Sequence, residues 1–139
     1  MRKAIVGYFD LCTGCEICQL ACSMTKYGAY SRAKAHIRIT RDLKQLTFTP
    51  VACIQCDKLP YHNSPCMQAC PVGAITRDKD TNAVIVVDAK CTGCKLCVDA
   101  CPIGMIQFDA ASKKASKCDL CFGKPRCVEY CPFGAIEYK

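Results

Sequence analysis

Sixteen of the 139 residues are cysteine, and their spacing constrains the fold more than any other feature. They form four groups: Cys12, Cys15, Cys18 and Cys22; Cys53, Cys56, Cys66 and Cys70; Cys91, Cys94, Cys97 and Cys101; and Cys118, Cys121, Cys127 and Cys131. The first and third groups read C-x2-C-x2-C-x3-C. The second and fourth keep the opening C-x2-C and the closing C-x3-C, and widen only the middle gap to nine and five residues. Disulfides need no such regularity, and their geometry makes bonds between near neighbours awkward. Zinc takes four ligands in a tetrahedron, usually as two pairs separated by a longer loop. A third cysteine so soon after a C-x2-C pair suits a cube instead, whose corners a looping chain meets in succession. The spacing predicts four [4Fe–4S] clusters. Composition agrees, because the chain has no Trp and only 6 Tyr and 5 Phe, little for an apolar core at this length. Metal–thiolate bonds must supply part of the stability.

Proline sharpens the reading. Pro71, Pro102 and Pro132 directly follow the last cysteine of their groups, the C-x3-C-P ending of bacterial ferredoxins. Proline cannot continue a helix or donate a backbone hydrogen bond, so the chain turns there. The turn repeats as Cys70-Pro71-Val72-Gly73-Ala74-Ile75, Cys101-Pro102-Ile103-Gly104-Met105-Ile106 and Cys131-Pro132-Phe133-Gly134-Ala135-Ile136, with a period near 30 residues. The first group lacks it, reading Cys22-Ser23-Met24. Each repeat then enters a strand. Ile75–Arg77 pairs in this reading with Ala83–Val87, and Ile106–Phe108 with Lys114–Lys117. Ala35–Thr40 and Leu46–Val51 form a further hairpin, with His36, Arg38 and Thr40 on one side. Segments such as Val98-Asp99-Ala100 suit one or two helical turns. The fold class is α+β, with short strands and helices around the clusters.

In two-cluster ferredoxins the fourth cysteine of each run ligates the other cluster, so four groups imply two cluster pairs. Spacing alone permits sequential pairing, first with second and third with fourth, or nested pairing, second with third inside first with fourth. Ala4–Tyr8 and Ala135–Tyr138 both read as strands, and their pairing would favour nesting. The expected organisation is two nested bacterial-ferredoxin-like units. The outer is 1–47 plus 107–139, and the inner is 48–106.

Through the number and order of its groups, the whole chain resembles the four-cluster electron-transfer subunits of complex oxidoreductases. These accompany molybdenum and tungsten enzymes such as formate dehydrogenases, dimethyl sulfoxide and polysulfide reductases, and some hydrogenases. The run Cys12-Thr13-Gly14-Cys15-Glu16-Ile17-Cys18-Gln19-Leu20-Ala21-Cys22 is similar to their opening motif, and Lys117-Cys118-Asp119-Leu120-Cys121 to their fourth. The resemblance implies four sites. Cys12, Cys15, Cys18 and Cys131 would hold one cluster, and Cys118, Cys121, Cys127 and Cys22 its neighbour. Cys53, Cys56, Cys66 and Cys101 would hold a third, and Cys91, Cys94, Cys97 and Cys70 the fourth. Most such subunits are longer. In compactness this chain is most similar to the small subunit of tungsten-dependent aldehyde oxidoreductases and of related aryl-CoA reductase systems. The resemblance implies a catalytic tungsten or molybdenum partner subunit, with a flavin or NAD subunit or a soluble ferredoxin as the other redox partner, in an anaerobic setting.

The formal charge of +7 counts every cysteine as neutral. A four-thiolate cluster carries about −2, so four would bring the protein near −1, which undercuts a nucleic-acid reading. Lys26, Arg32, Lys34, Arg38, Arg41 and Lys44 form a basic stretch offset by Asp42. It reads either as the solvated face of a hairpin or as a docking surface flanked by Tyr27 and Tyr30. His36 and His62 read as structural or solvated, although His62 lies in the wide gap of the second group. Asp10, Asp57, Asp88 and Asp119 read as turn or loop caps. There is no dinucleotide fingerprint, P-loop or HExxH, so the chain is expected to be a non-catalytic subunit. The longest aliphatic run, Ala83–Val87, is far short of a membrane span. The N-terminal apolar stretch stops at Asp10 without a cleavage site, so the expected location is cytoplasmic. Alternatives are a freely diffusing polyferredoxin, an iron–sulfur maturation or sensing protein, and the electron-transfer subunit of a hydrogenase or carbon monoxide dehydrogenase. Self-association into larger arrays is open.

Overall fold

The computed structural model describes residues 3–56 and 63–139. Asp57 and His62 lie outside the described residues. The elements run β1 (Ile5–Gly7), α1 (Ile17–Tyr27), β2 (Ile37–Asp42), β3 (Thr47–Ala52), α2 (Pro65–Ala69), β4 (Ile75–Arg77), β5 (Val84–Val86), α3 (Leu96–Ala100), β6 (Gln107–Asp109), β7 (Lys114–Ser116), a 3-10 turn (Leu120–Gly123), α4 (Arg126–Glu129) and β8 (Ile136–Tyr138). This is the expected α+β architecture of short strands and helices.

Among the described residues the strands pair only in twos, all antiparallel: β1 with β8, β2 with β3, β4 with β5 and β6 with β7. The β1–β8 pair joins the two ends of the fold, with Ile5 opposite Tyr138 and Gly7 opposite Ile136. Reciprocal bonds between Ala4 and Lys139, and one from the Tyr8 N–H to the Ala135 carbonyl, extend it. The β2–β3 hairpin straddles positions 47 and 48, where the sequence reading divides its two units.

Helix lengths follow the prolines. Cys70 and Cys101, the C-caps of α2 and α3, are both extended and both precede proline. No proline follows Cys22, so α1 continues to Tyr27 and ends at Gly28, whose left-handed φ of 67° lets its N–H reach the Met24 carbonyl.

Two buried clusters replace a single apolar core. One joins Ile5, Ala35, Ile37, Ala52, Leu120 and Ile136 with Cys18, Cys22 and Cys127. The other joins Ile75, Val84, Ile106 and Ala115 with Cys66 and Cys97. Cysteines are structural members of both.

Of its two sequence readings, structural or solvated, His36 takes the structural one. It lies just before β2 and is buried, whereas Arg38 and Thr40 are exposed. The reason is a local partner: the Tyr27 hydroxyl meets His36 Nε2 at 3.1 Å.

Candidate iron–sulfur sites

Four cavities of 290 to 330 Å3, counting their open mouths, each collect four cysteines. The first contains Cys12, Cys15, Cys18 and Cys131. The second contains Cys22, Cys118, Cys121 and Cys127. The third contains Cys53, Cys56, Cys66 and Cys101, and the fourth Cys70, Cys91, Cys94 and Cys97. The structure thus brings together the same quartets that the family resemblance implies.

The helices create this exchange. Cys18 and Cys22 lie four apart on α1, yet enter the first and second cavities respectively. Cys127 on α4 and Cys131 just beyond it make the reverse crossing. In the same way Cys66 and Cys70 bracket α2, and Cys97 and Cys101 bracket α3, each pair divided between the third and fourth cavities.

A left-handed residue precedes the second cysteine of every group: Gly14 (φ 73°), Gln55 (φ 59°), Gly93 (φ 76°) and Leu120 (φ 57°). The turn aims both thiols of each C-x2-C at one cavity. Two positions require glycine sterically as well. A Cβ on Gly14 would lie 2.6 Å from the Phe48 ring, and one on Gly93 would lie 2.4 Å from the Lys113 carbonyl oxygen. At the other two, the strain is offset by burial, since Leu120 is 0 % and Gln55 2 % exposed.

The surroundings suit thiolates. Backbone N–H groups donate to sulfur from His36 to Cys22 (3.2 Å), Ala74 to Cys70 (3.2 Å), Met105 to Cys101 (3.3 Å), Ala115 to Cys91 (3.5 Å) and Leu120 to Cys118 (3.5 Å). Desolvation raises the Cys70 thiol, but the N–H groups of Val72, Ala74, Ile75 and Gly73 outweigh it and hold the pKa below the ordinary value. Elsewhere burial wins. It pushes Cys18 and Cys118 up to about 12 and Cys56 and Cys97 up to about 11, with Cys22, Cys66 and Cys127 also raised. Such thiols ionise only when a bound cation offsets the lost hydration.

The chemistry fits a polynuclear cluster. Among the described residues no three or more His, Cys, Asp or Glu converge for a single metal ion. Sulfurs spread round the wall of a cavity suit a larger inorganic body. The second cavity also presents an orphan: His36 Nδ1 is buried and without a hydrogen-bond partner. Burial pushes the His36 pKa down to about 4, so the ring is neutral at pH 7. Nε2 is engaged by the Tyr27 hydroxyl, so Nδ1 is the ring nitrogen left facing the cavity.

The cavities lie in a row. First and second share α1 and α4, and third and fourth share α2 and α3. Second and third meet at the Cys118 carbonyl, which accepts from Gln55 and Lys117 of the third cavity at 3.2 and 3.0 Å. Cys15 in the first cavity and Cys94 in the fourth are exposed, whereas no cysteine of the middle two is.

The basic stretch is largely engaged within the chain. Lys26 pairs with Asp119, Arg32 and Arg41 pair with Glu16, Arg38 donates to the Gly104 carbonyl at 3.2 Å, and Lys34 lies over the Tyr27 ring. Asp119 also accepts from the Cys121 N–H at 2.8 Å, the capping role expected of it. Sequence reasoning noted Lys117 only as part of the fourth motif and of a strand, and missed Gln55, because two polar residues far apart in the chain give no pattern. Both are buried between the second and third cavities.

Residues 44–139 match the 4Fe-4S dicluster domain, and residues 9–26 a 4Fe-4S binding domain. The polyferredoxin-like subunit of an aliphatic sulfonate oxidoreductase from Pyrococcus furiosus is 36% identical over 117 residues, covering 84% of this chain and 64% of the relative. The thiosulfate reductase electron transfer subunit PhsB of Salmonella typhi is 32% identical over 117 residues, covering 79% of this chain and 57% of the relative. The chain thus spans less than two thirds of either. A chain of the active site complex BamBC of benzoyl coenzyme A reductase shares the fold, with a TM-score of 0.53 and 22% identity over 99% of this chain and 78% of that one. No helix among the described residues is long and apolar enough to cross a membrane. Cysteine spacing, sulfur-lined cavities and the family match agree, and the chain belongs to the 4Fe-4S dicluster family of ferredoxin-type proteins.

Proposed function

We propose that this chain is the electron-transfer subunit of an oxidoreductase complex and carries four [4Fe–4S] clusters. The ligand sets are Cys12/Cys15/Cys18/Cys131, Cys22/Cys118/Cys121/Cys127, Cys53/Cys56/Cys66/Cys101 and Cys70/Cys91/Cys94/Cys97. A cluster held by four thiolates supplies reversible one-electron storage. The residues of this chain fix its position, exclude water from the middle of the row and donate N–H bonds to the ligating sulfurs. The observation that carries the reading is the row itself, with one exposed cysteine at each end.

The same ligand sets support a nested organisation. Residues 1–47 with 107–139 supply every cysteine of the first and second sites, and residues 48–106 every cysteine of the third and fourth, although the linings overlap at Pro50, Ala52, Ala115 and Lys117. The hairpins β2–β3 and β6–β7 are the joints, since Ala115 packs with the inner group.

The partner in this proposal is a catalytic tungsten or molybdenum subunit that converts an aldehyde or an acid, with the present chain itself non-catalytic. The names of its relatives, subunits of oxidoreductases, support a catalytic partner, and the metal and substrate class come from the family resemblance. A protein partner is further supported by an open apolar groove on α1 and α4, formed by Ile17, Leu20, Met24 and Tyr130 beside the first two cavities. The setting is cytoplasmic and anaerobic.

Native purification without oxygen, followed by elemental analysis, tests the proposal. About 16 iron atoms per chain are expected, with tungsten or molybdenum in the co-eluting partner. Nickel would assign the chain to a hydrogenase or carbon monoxide dehydrogenase. Iron alone on a stable monomer would favour a freely diffusing polyferredoxin, and zinc in place of iron would overturn electron transfer.

A further inference from the structure

The second and third cavities meet at a buried cation. Lys117 is 6 % exposed. Its Nζ donates to the Cys118 carbonyl at 3.0 Å, to Gln55 Oε1 at 3.3 Å and to the Val84 carbonyl. These three neutral acceptors use all three N–H bonds of an ammonium group. Among the described residues no carboxylate forms an ion pair with it. A buried ammonium without a counter-charge is costly, so its anion must lie nearby.

The cavities supply it. Lys117 lines the third, and the next residue, Cys118, lines the second. Its positive charge favours the thiolate forms of Cys56, Cys66 and Cys118. Gln55 fixes the geometry: its Nε2 donates to the Cys118 carbonyl at 3.2 Å, and its Oε1 accepts from the Val84 N–H at 2.8 Å and from Lys117. Of the other cations near the row, Lys26, at the second cavity, is paired with Asp119, and Lys95, at the fourth, is exposed. Lys114, also at the fourth, is half-buried and donates to the Cys91 carbonyl at 2.6 Å, but unlike Lys117 it keeps part of its hydration.

We propose that Lys117 is the resident counter-ion of the third cluster, shared with the second, and that it sets the middle of the row at a higher reduction potential than the ends. The proposal rests on the four-cluster reading above. Reduction adds one negative charge to a site, and a nearby fixed positive charge favours that form. A unit charge about 10 Å away, at an effective dielectric constant of about 20, changes such an equilibrium by about tenfold, and a nearer one by more. Electrons that enter at an exposed end are then held in the dry middle until a partner draws them out.

The test is a redox titration of the intact protein followed by electron paramagnetic resonance. Lys117→Gln removes the charge and keeps amide donors, and Lys117→Arg keeps the charge. In Lys117→Gln one or two of the four midpoint potentials should fall, by about 59 mV for each tenfold change in a one-electron equilibrium, while the others hold. Lys117→Arg should stay near the wild type. Four unchanged potentials, or a uniform shift of all four, would overturn the proposal. So would an arginine variant that shifts as far as the glutamine one. If Lys117→Gln fails to assemble, the wild type answers. Its first-reduced signal should persist in both Cys15→Ser and Cys94→Ser, which alter the two end sites, and loss of that signal in either overturns the proposal. Fewer than four clusters in the wild type would overturn the four-cluster reading together with this one, whereas unchanged potentials in a four-cluster protein overturn only the role of Lys117.

Discussion

Gly93 and Leu120 occupy equivalent places in two cysteine groups and share a left-handed backbone, yet their side chains meet opposite fates. At Gly93 there is no room, so Gly93→Ala combines a left-handed penalty of about 1–2 kcal/mol with overpacking of about 1–3 kcal/mol against the Lys113 carbonyl. The expected result is a lower melting temperature and selective loss of iron from the fourth site, read by calorimetry and iron analysis. At Leu120 the side chain fills the core, and Leu120→Ala should cost about 2–5 kcal/mol in a thermal or denaturant titration. Tyr27→Phe removes the 3.1 Å contact to His36 and should cost about 1 kcal/mol in the same assay. The Thr-Gly pairs at 13–14 and 92–93 already suggest a tight turn in the sequence. Gln55 and Leu120 do not, because their intrinsic preferences oppose a left-handed backbone and only burial makes it tenable. The partner of His36 is hidden for a related reason. The alternation of His36 with Arg38 and Thr40 is visible in the sequence, but its bond to Tyr27 on another element is not.

The ladders and helices explain which elements sequence reasoning locates. Ile75–Arg77, Val84–Val86, Gln107–Asp109 and Lys114–Ser116 follow from apolar runs after each Cys-Pro turn, and their observed bounds fall within a residue or two of expectation. Helix α1 exceeds the expected one or two turns because the first group has no proline to stop it. Strands of three residues are not stable in pairs by themselves. The β1–β8 ladder therefore depends on what Ile5 and Ile136 bury against Cys18 and Cys127. Ile136→Ala should destabilise the protein by about 2–5 kcal/mol and release iron from the first site before the others. Stepwise iron loss under mild heating, followed by resonance spectroscopy, would show it.

Across the whole molecule, the two buried groups mix cysteines with a few aliphatic side chains, and neither contains an aromatic residue among its fully buried members. Anaerobic removal of iron with a strong chelator should therefore unfold the chain, with loss of the far-ultraviolet dichroism. A fold retained without iron would contradict this. The quartets themselves came with the family resemblance, because the spacing of four groups alone leaves sequential and nested pairing both open. The fate of the basic stretch was not within reach of the sequence, because its anions, Glu16 and Asp119, come from cysteine loops on either side of it.

The crossing of cysteines between cavities also carries a direction in time. The third and fourth quartets are complete once residue 101 has been made, whereas the first and second wait for residues 131 and 127. On a translating ribosome the inner half of the row could be loaded while the outer half still has open coordination positions. The newly made chain would then be most vulnerable to oxygen at Cys12, Cys15, Cys18 and Cys22, the thiols synthesised first and closed last.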